Sequence, residues 1–311
     1  MSHEMRKVSL RQAFGETLVK AGERWTDLRV FDAGTSNSTY TLKYSQAYPD
    51  RFYTPGINEP GMIALATGLA MAGKRVVAAD MSVFLHHAYA QIRAAARQGN
   101  IHLIIAATHT GVAVGPDGGS AHDLTDMARM RLIPNMTVVT PWDGLQVEQA
   151  LEEMLEIPGL YYLRLNRPAV PVFTEELAPF TIGPAYNLRQ GKKLTIIAVG
   201  DKVYDAMLVA DELGEGVADV IGISTLEPLD GETIVNSARR TGKIVTIEDH
   251  MSIGGLFEAV AGVTAQKYPV KIRSVSIDRI ITTSGMPDEL AKMYKIDVKS
   301  IVETCREFIR E

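Results

Sequence analysis

The 311-residue sequence predicts an α/β protein of two doubly wound domains with mainly parallel sheets. Three observations predict it. Short apolar runs alternate with longer stretches of helical spacing along the first half, the pattern of strands returned by crossover helices. Between Arg167 and Gly183 this pattern lapses into Pro168, Pro171, Pro179 and scattered polar residues, then restarts at Leu194. A chain of this length that is 46% hydrophobic also suits two cores better than one. The boundary is placed in the lapse, giving domains 1–178 and 179–311.

In the first domain Leu28–Phe31, Arg75–Ala79, Ile101–Ala107, Thr137–Thr140 and Tyr161–Leu163 read as strands. Leu10–Ala21, Glu59–Ala72, Val83–Arg97 and Leu145–Leu155 read as helices, with Ser9 and Asp143 at N-cap positions. The second domain offers strands Leu194–Val199, Ala218–Ile223, Lys243–Ile247 and Lys271–Val275. Helices near Tyr204–Leu213, Gly231–Ala238 and Leu256–Thr264 separate them. The lone cysteine, Cys305, lies on an apolar stripe with Val298, Ile301, Val302, Phe308 and Ile309, which assigns it to packing in a terminal helix.

Composition excludes several classes. With 32 basic and 37 acidic residues spread without long blocks, there is no basic stripe for a phosphate backbone, so nucleic acid is not an expected partner. The apolar run Met62–Ala72 is too short to cross a bilayer, and the opening Met-Ser-His-Glu-Met-Arg-Lys lacks the apolar core of a signal peptide. The expectation is a cytoplasmic protein. Gly68-Leu-Ala-Met-Ala-Gly-Lys-Arg75 imitates a P-loop but runs from helix to strand and ends in Arg, so it reads as a helix end closed by Gly73. No Gly-x-Gly-x-x-Gly follows a strand. Adjacent His86 and His87 point about 100° apart on a helix and make a poor metal clasp, and no metal site is expected on this chain alone.

Open parallel sheets bind ligands beyond the carboxyl ends of their strands, which singles out Asp32–Thr39, Gly56–Met62 and Thr108–His122. The last concentrates His109, Asp117 and His122 among glycines, a composition that suits a ligand loop and a mobile surface loop equally. Glu59 precedes Pro60 at a helix start, where a carboxylate either does chemistry or merely favours the helix dipole. The residues alone leave both readings open.

Four ordered stretches, Gly56-Ile-Asn-Glu-Pro-Gly-Met62, Val83–Arg93, Ala107–Gly118 and Ile133–Asp143, together resemble the pyrimidine-binding domain of transketolase. Val199-Gly200, Glu248-Asp-His250 with Gly254-Gly255, and Ser284-Gly-Met-Pro287 resemble the C-terminal domain of the same family. The resemblance implies a thiamine diphosphate enzyme of pentose phosphate metabolism that moves a two-carbon ketol unit between sugar phosphates. It makes Glu59 the carboxylate that supports the imino tautomer of the cofactor's aminopyrimidine, and Phe84 the aromatic stacked on that ring. Met81 stands where Phe is usual, His87 where Tyr is usual, and Gly34 where an Asp is frequent. His109, with a catalytic role, Asp117 and His122 match residues that contact sugar hydroxyls, and Arg11, Ser38 and Arg167 match those that bind the sugar phosphate.

The family's Gly-Asp-Gly motif and following Asn, which hold the diphosphate through Mg2+, are missing; Gly200-Asp201-Lys202 departs from the motif. The resemblance therefore implies a split enzyme, with the Mg2+ ligands on a separate N-terminal subunit in an α2β2 heterotetramer. The competing readings are the β subunit of a 2-oxoacid dehydrogenase, deoxyxylulose-phosphate synthase, which is normally one longer chain, and a non-catalytic scaffold subunit.

Overall fold

The computed structural model describes residues 5–99, 101–278 and 283–311; Met1–Glu4, read above for a leader, lie outside the described residues. The chain divides into two compact units, one of Met1–Thr110 with Met130–Ile182 and the other of Gly111–Arg129 with Gly183–Glu311. The segment Gly111–Arg129 thus lies inside the first sequence domain but folds with the second.

Unit 1 is built on strands β1 (Leu28–Asp32), β2 (Phe52–Tyr53), β3 (Arg75–Met81), β4 (Leu103–Thr108), β5 (Met136–Val139) and β6 (Leu160–Arg164). They lie side by side in the order β2-β1-β3-β4-β6-β5, every pairing parallel. Helices α2 (Glu59–Met71), α3 (Tyr89–Ala95) and α4 (Gly144–Glu156) supply crossovers, and α1 (Leu10–Arg24), which precedes β1, packs against α4. Phe14 and Leu18 of α1, Val147 and Leu151 of α4, and Leu28, Val77, Ile104 and Leu163 of the sheet share one core. Strands buried on both faces read as continuous apolar runs, which is why the sequence located them within a residue or two.

Val83–Arg97, expected as one helix, is instead a 3₁₀ turn at Phe84–Ala88 followed by α3. β-branched Val83 and the paired histidines are weaker helix formers than the alanine-rich stretch after them. Gly73 closes α2 at φ +81°, its N–H on the Ala70 carbonyl at 3.0 Å, as the helix-end reading of that stretch requires. The short pair Lys7–Ser9 and Ala169–Pro171, antiparallel with Val8 opposite Val170, was not legible in the sequence. It brings the start of α1 beside Arg167, and the Ser9 hydroxyl turns to the Arg167 carbonyl at 3.4 Å instead of capping the helix.

Unit 2 holds β7 (Tyr186–Arg189), β8 (Leu194–Val199), β9 (Ala218–Ile223), β10 (Lys243–Ile247) and β11 (Lys271–Val275) in the order β11-β10-β8-β9-β7. Only the edge strand β7 runs antiparallel, on β9. The last four match their sequence-predicted limits, whereas β7, alternately half-buried and exposed, carries no apolar run to betray it. The longer helices of the unit are α5 (Lys202–Leu213), α6 (Gly231–Thr241), α7 (Leu256–Lys267) and α8 (Val298–Arg310), with α8 lying on α5. Cys305 of α8 is buried, and burial pushes its thiol up to about 12, so it is neutral packing. Among the described residues no helix is long and apolar enough to cross a membrane.

Asp143 shows how unit 1 fixes its loops. Its buried carboxylate caps α4 by accepting the Gln146 N–H at 3.0 Å. It also accepts the N–H groups of Phe173 and Thr174 at 2.8 and 2.9 Å and the Thr174 hydroxyl at 2.9 Å. Replacing it with Ala removes a cap and strands buried donors, so Asp143→Ala should cost on the order of 3 kcal/mol in urea unfolding. A loss below ~1 kcal/mol would show that the network carries little stability.

Candidate functional site

In unit 1 polar side chains, some of them singled out from sequence, follow the carboxyl ends of the parallel strands. Asp32 closes β1, Asp80 lies one residue before the end of β3, and His109 follows β4. Glu59 opens α2, but Asn58 does the capping, its side chain accepting the Gly61 N–H at 2.9 Å. The Glu59 carboxylate is thereby spared that duty. Its side chain is 9% exposed, and its nearest polar partner is His87 Nδ1 at 3.6 Å, an ion-pair distance outside hydrogen-bond reach. Among the described residues Glu59 accepts no hydrogen bond. A nearly buried carboxylate without a donor is costly, and a ligand N–H is the kind of group that would relieve it. The turn Phe84–Ala88 packs against α2; Phe84 and Met81 are half-buried and His87 is exposed.

Two further carboxylates lie behind Glu59, and neither was singled out for its chemistry. Asp32 is saturated: its Oδ1 accepts the N–H groups of Gly34 and Thr35 at 2.9 and 2.6 Å, and its Oδ2 the hydroxyls of Thr39 and Thr41 at 2.7 and 2.9 Å. It holds the segment after β1 in place. Asp80 is fully buried and only half satisfied. Its Oδ1 accepts the Thr35 hydroxyl at 2.9 Å and the Met81 N–H at 2.7 Å, while its Oδ2 has no partner. Burial pushes the Asp80 carboxyl up to about 7, and the negative charges of Asp32 and Glu59 push the same way against those two hydrogen bonds.

Arg11 ties three other candidates together. Its guanidinium donates to the Ser38 carbonyl at 2.6 Å, to the Arg167 carbonyl at 3.3 Å and to His109 Nε2 at 3.2 Å. Because arginine has only donors, Nε2 is an acceptor there, and the proton of a neutral His109 ring sits on Nδ1, 2.9 Å from the Thr108 hydroxyl. His109 is buried and held at φ +57°, a conformation that aims the ring from the strand end. Ser38 and the Arg167 side chain are half-buried.

Asp117 and His122 belong to unit 2, through the segment Gly111–Arg129. Asp117 is exposed, while His122 is half-buried with Nε2 3.3 Å from the Gly115 carbonyl. The loop's glycines, read from composition as room for a ligand, are spent at least partly on unit 2 itself. A Cβ on Gly111 would meet the Asp249 carboxylate at 2.1 Å, and one on Gly115 the Gly285 carbonyl at 3.2 Å. Among the described residues no group of three or more His, Cys, Asp or Glu is placed to hold a metal ion.

Comparison with known families matches residues 6–172 to the transketolase pyrimidine binding domain and residues 183–301 to the transketolase C-terminal domain. The chain belongs to the transketolase family. It is 37% identical to a Methanocaldococcus jannaschii protein provisionally named a transketolase C-terminal section, over 97% of this chain and 96% of that one. It is 33% identical to human transketolase over 97% of its own length but only 49% of the human chain, so it spans about half of such full-length relatives. Among solved structures it superimposes on a split-gene transketolase, described as an inactive β4 tetramer, with a TM-score of 0.88 at 33% identity, covering 98% of this chain and 99% of that one.

Transketolase motifs led the reading to Glu59 and Phe84 but not to Asp80, although a carboxylate near the carboxyl end of the apolar run Arg75–Met81 was a visible signal. Asp80 has a folded-state value raised above its ordinary 3.8, so the folded protein binds the extra proton and stability falls as pH rises from about 4 to about 7. Asp80→Asn should remove that loss, its advantage over the wild type growing across the same window by ~4 kcal/mol at most. Urea unfolding at several pH values measures this; parallel curves for the two proteins would refute a buried, raised Asp80.

Proposed function

We propose that this chain is the C-terminal subunit of a thiamine diphosphate-dependent transketolase, which transfers a two-carbon ketol unit from a ketose phosphate to an aldose phosphate. The single observation that carries the reading is Glu59, a nearly buried carboxylate without a hydrogen-bond donor beside the turn of Phe84. The donor set fits the cofactor's aminopyrimidine, whose ring N–H would complete Glu59. When bound, thiamine diphosphate supplies a nucleophilic thiazolium carbon that its own exocyclic nitrogen helps deprotonate.

The chain's residues then divide the work. Glu59 holds a proton at the pyrimidine ring nitrogen, in a setting dry enough for that hydrogen bond to be strong. Phe84, Met81 and His87 flank the ring. His109 takes a sugar hydroxyl on its Nε2 lone pair in exchange for the Arg11 N–H, with Asp117 and His122 assigned to further hydroxyls. Arg167 grips the phosphate with Ser38, while Arg11 adds charge and holds the two backbone segments together.

The diphosphate and Mg2+ ligands are assigned to a separate N-terminal subunit in an α2β2 assembly. Support comes from the similarity to a transketolase C-terminal section and to a split-gene transketolase described as an inactive β4 tetramer, of which this chain covers 96% and 99%. A second copy of this chain is the proposed cover for α2, an apolar helix that leaves Leu65 and Met71 56% and 59% exposed.

The test is to assay ketose phosphate turnover by the purified chain with cofactor and Mg2+, alone and after adding the N-terminal subunit. Activity is expected only in the mixture; robust turnover by the chain alone would remove the split-subunit assignment. In the mixture Glu59→Gln should lower turnover at least about a hundredfold while unfolding like the wild type. Near-normal rates from that folded variant would take Glu59 out of the mechanism.

Arg167→Ala should mainly raise KM for the ketose phosphate, because the phosphate is remote from the broken bond and is held alike in ground and transition states. A ten- to hundredfold fall in kcat/KM, roughly, matches one lost charge-assisted contact. Hydroxypyruvate, which has no phosphate, should be used almost as well as by the wild type. Equal damage to both donors would make Arg167 a structural residue and send the search for the phosphate site elsewhere.

A further inference from the structure

In unit 2 the strand order places β9 on one side of β8 and β10 on the other, so the chain's winding reverses between β8 and β10. In doubly wound sheets the crevice beyond such a reversal is where a small ligand binds. Here the residues that line it are Gly200-Asp201-Lys202 after β8 and Glu248-Asp249-His250 after β10. The chain's own segment Gly111–Arg129 is bonded to them.

Asp249 is buried, and its Oδ1 accepts the Val112 N–H at 2.9 Å and its Oδ2 the Ala113 N–H at 3.3 Å. The Met251 N–H donates to the Leu124 carbonyl at 3.0 Å. His250, buried, donates from Nδ1 to the Met251 carbonyl at 2.6 Å, which leaves Nε2 as the acceptor of the Ala128 N–H at 3.4 Å. Three consecutive residues thus hold both ends of the segment. Glu248, just before them, accepts the N–H groups of Leu256 and Phe257 at 2.7 and 2.9 Å, which anchors the clamp to the start of α7. Behind Asp249 stands Lys202, buried and bonded to Asp205 at 2.9 Å. Burial opposes its charge, yet the carboxylates of Asp205, Asp201 and Asp249 keep its ammonium above the usual lysine range.

We propose that Asp249 is a positioning residue for substrate: the crevice of unit 2 takes a pair of this chain's backbone N–H groups in place of a diffusible ligand, and so fixes the loop bearing Asp117 and His122. The kinetic part of this rests on the transketolase reading. The clamp itself does not. Lys202 keeps a positive charge near the Asp249 carboxylate, and the carboxylate prefers two N–H donors, a match that an amide side chain cannot make because its NH2 end has no lone pair.

Amide hydrogen exchange of the full chain tests the clamp, with the Leu256 N–H on Glu248 as an internal control. In Asp249→Asn the Val112 and Ala113 amides should exchange at least about tenfold faster, the scale of one lost hydrogen bond to a charged acceptor, while Leu256 is unchanged. Gly111→Ala attacks the same contact from the other side, since its Cβ would run into the Asp249 carboxylate at a φ of +70°. It should free the same two amides, and it carries the test if Asp249→Asn does not fold. Unchanged Val112 and Ala113 exchange in the folded variants overturns the clamp.

With the N-terminal subunit added, the variants should raise KM for the ketose phosphate about tenfold with a smaller change in kcat, the pattern of a displaced binding loop. Freed amides with a wild-type KM would overturn the positioning role. If the wild-type mixture transfers no ketol unit, the transketolase reading fails by itself, and the exchange measurement still decides whether Asp249 holds the loop.

Discussion

Every strand pairing at the centre of both sheets is parallel, and a parallel strand can be followed by another only after the chain has crossed back over a helix. All segments that leave the strands therefore emerge at one edge of each sheet. This constraint, and not any single motif, brings Asp32, Asp80 and His109 to one edge of unit 1, and Lys202 and Asp249 to one edge of unit 2. The apolar strands only have to be buried; the polar residues that follow them are then delivered by topology.

What those polar residues do depends on whether their hydrogen bonds are already complete. Asp32, Asp143, Glu248 and Asp249 are buried carboxylates filled by backbone N–H groups and hydroxyls of their own units, and each locks a loop or a helix start. Glu59 and one oxygen of Asp80 are not filled. The difference separates scaffold from site: a satisfied carboxylate has no remaining business with a ligand, whereas an unsatisfied one is tolerable only where something else completes it or where it holds a proton. The network through Thr35, which donates to Asp80 and whose N–H is taken by Asp32, makes the two kinds neighbours.

Much of this was legible in the sequence because burial on both faces writes long apolar runs, as in Leu194–Val199 or Lys243–Ile247. Strands of two to four residues that are half-buried or exposed write no such run, which hid Phe52–Tyr53, Tyr186–Arg189 and the pair Lys7–Ser9 with Ala169–Pro171. The residues of the candidate site were legible only through the order of the transketolase motifs, since Glu59 by itself reads as a helix N-terminal acid until Asn58 is seen to do the capping. The partners of Arg11 were illegible, because contacts with Ser38, His109 and Arg167 span up to 156 positions along the chain. The same holds for the clamp, whose two sides are 137 residues apart and share no local pattern.

That last separation has a consequence for how the protein is made. Synthesis at roughly 5–20 residues per second leaves Val112 and Ala113 outside the ribosome for on the order of ten seconds before Asp249 exists. During that interval the flanking strands β4 and β5 already border the gap, so the first sheet can close around the segment as a looped-out insertion, at a modest entropic cost for its length. The loop is ordered last, by residues from the far end of the chain, once the rest of the second unit has folded enough to receive it.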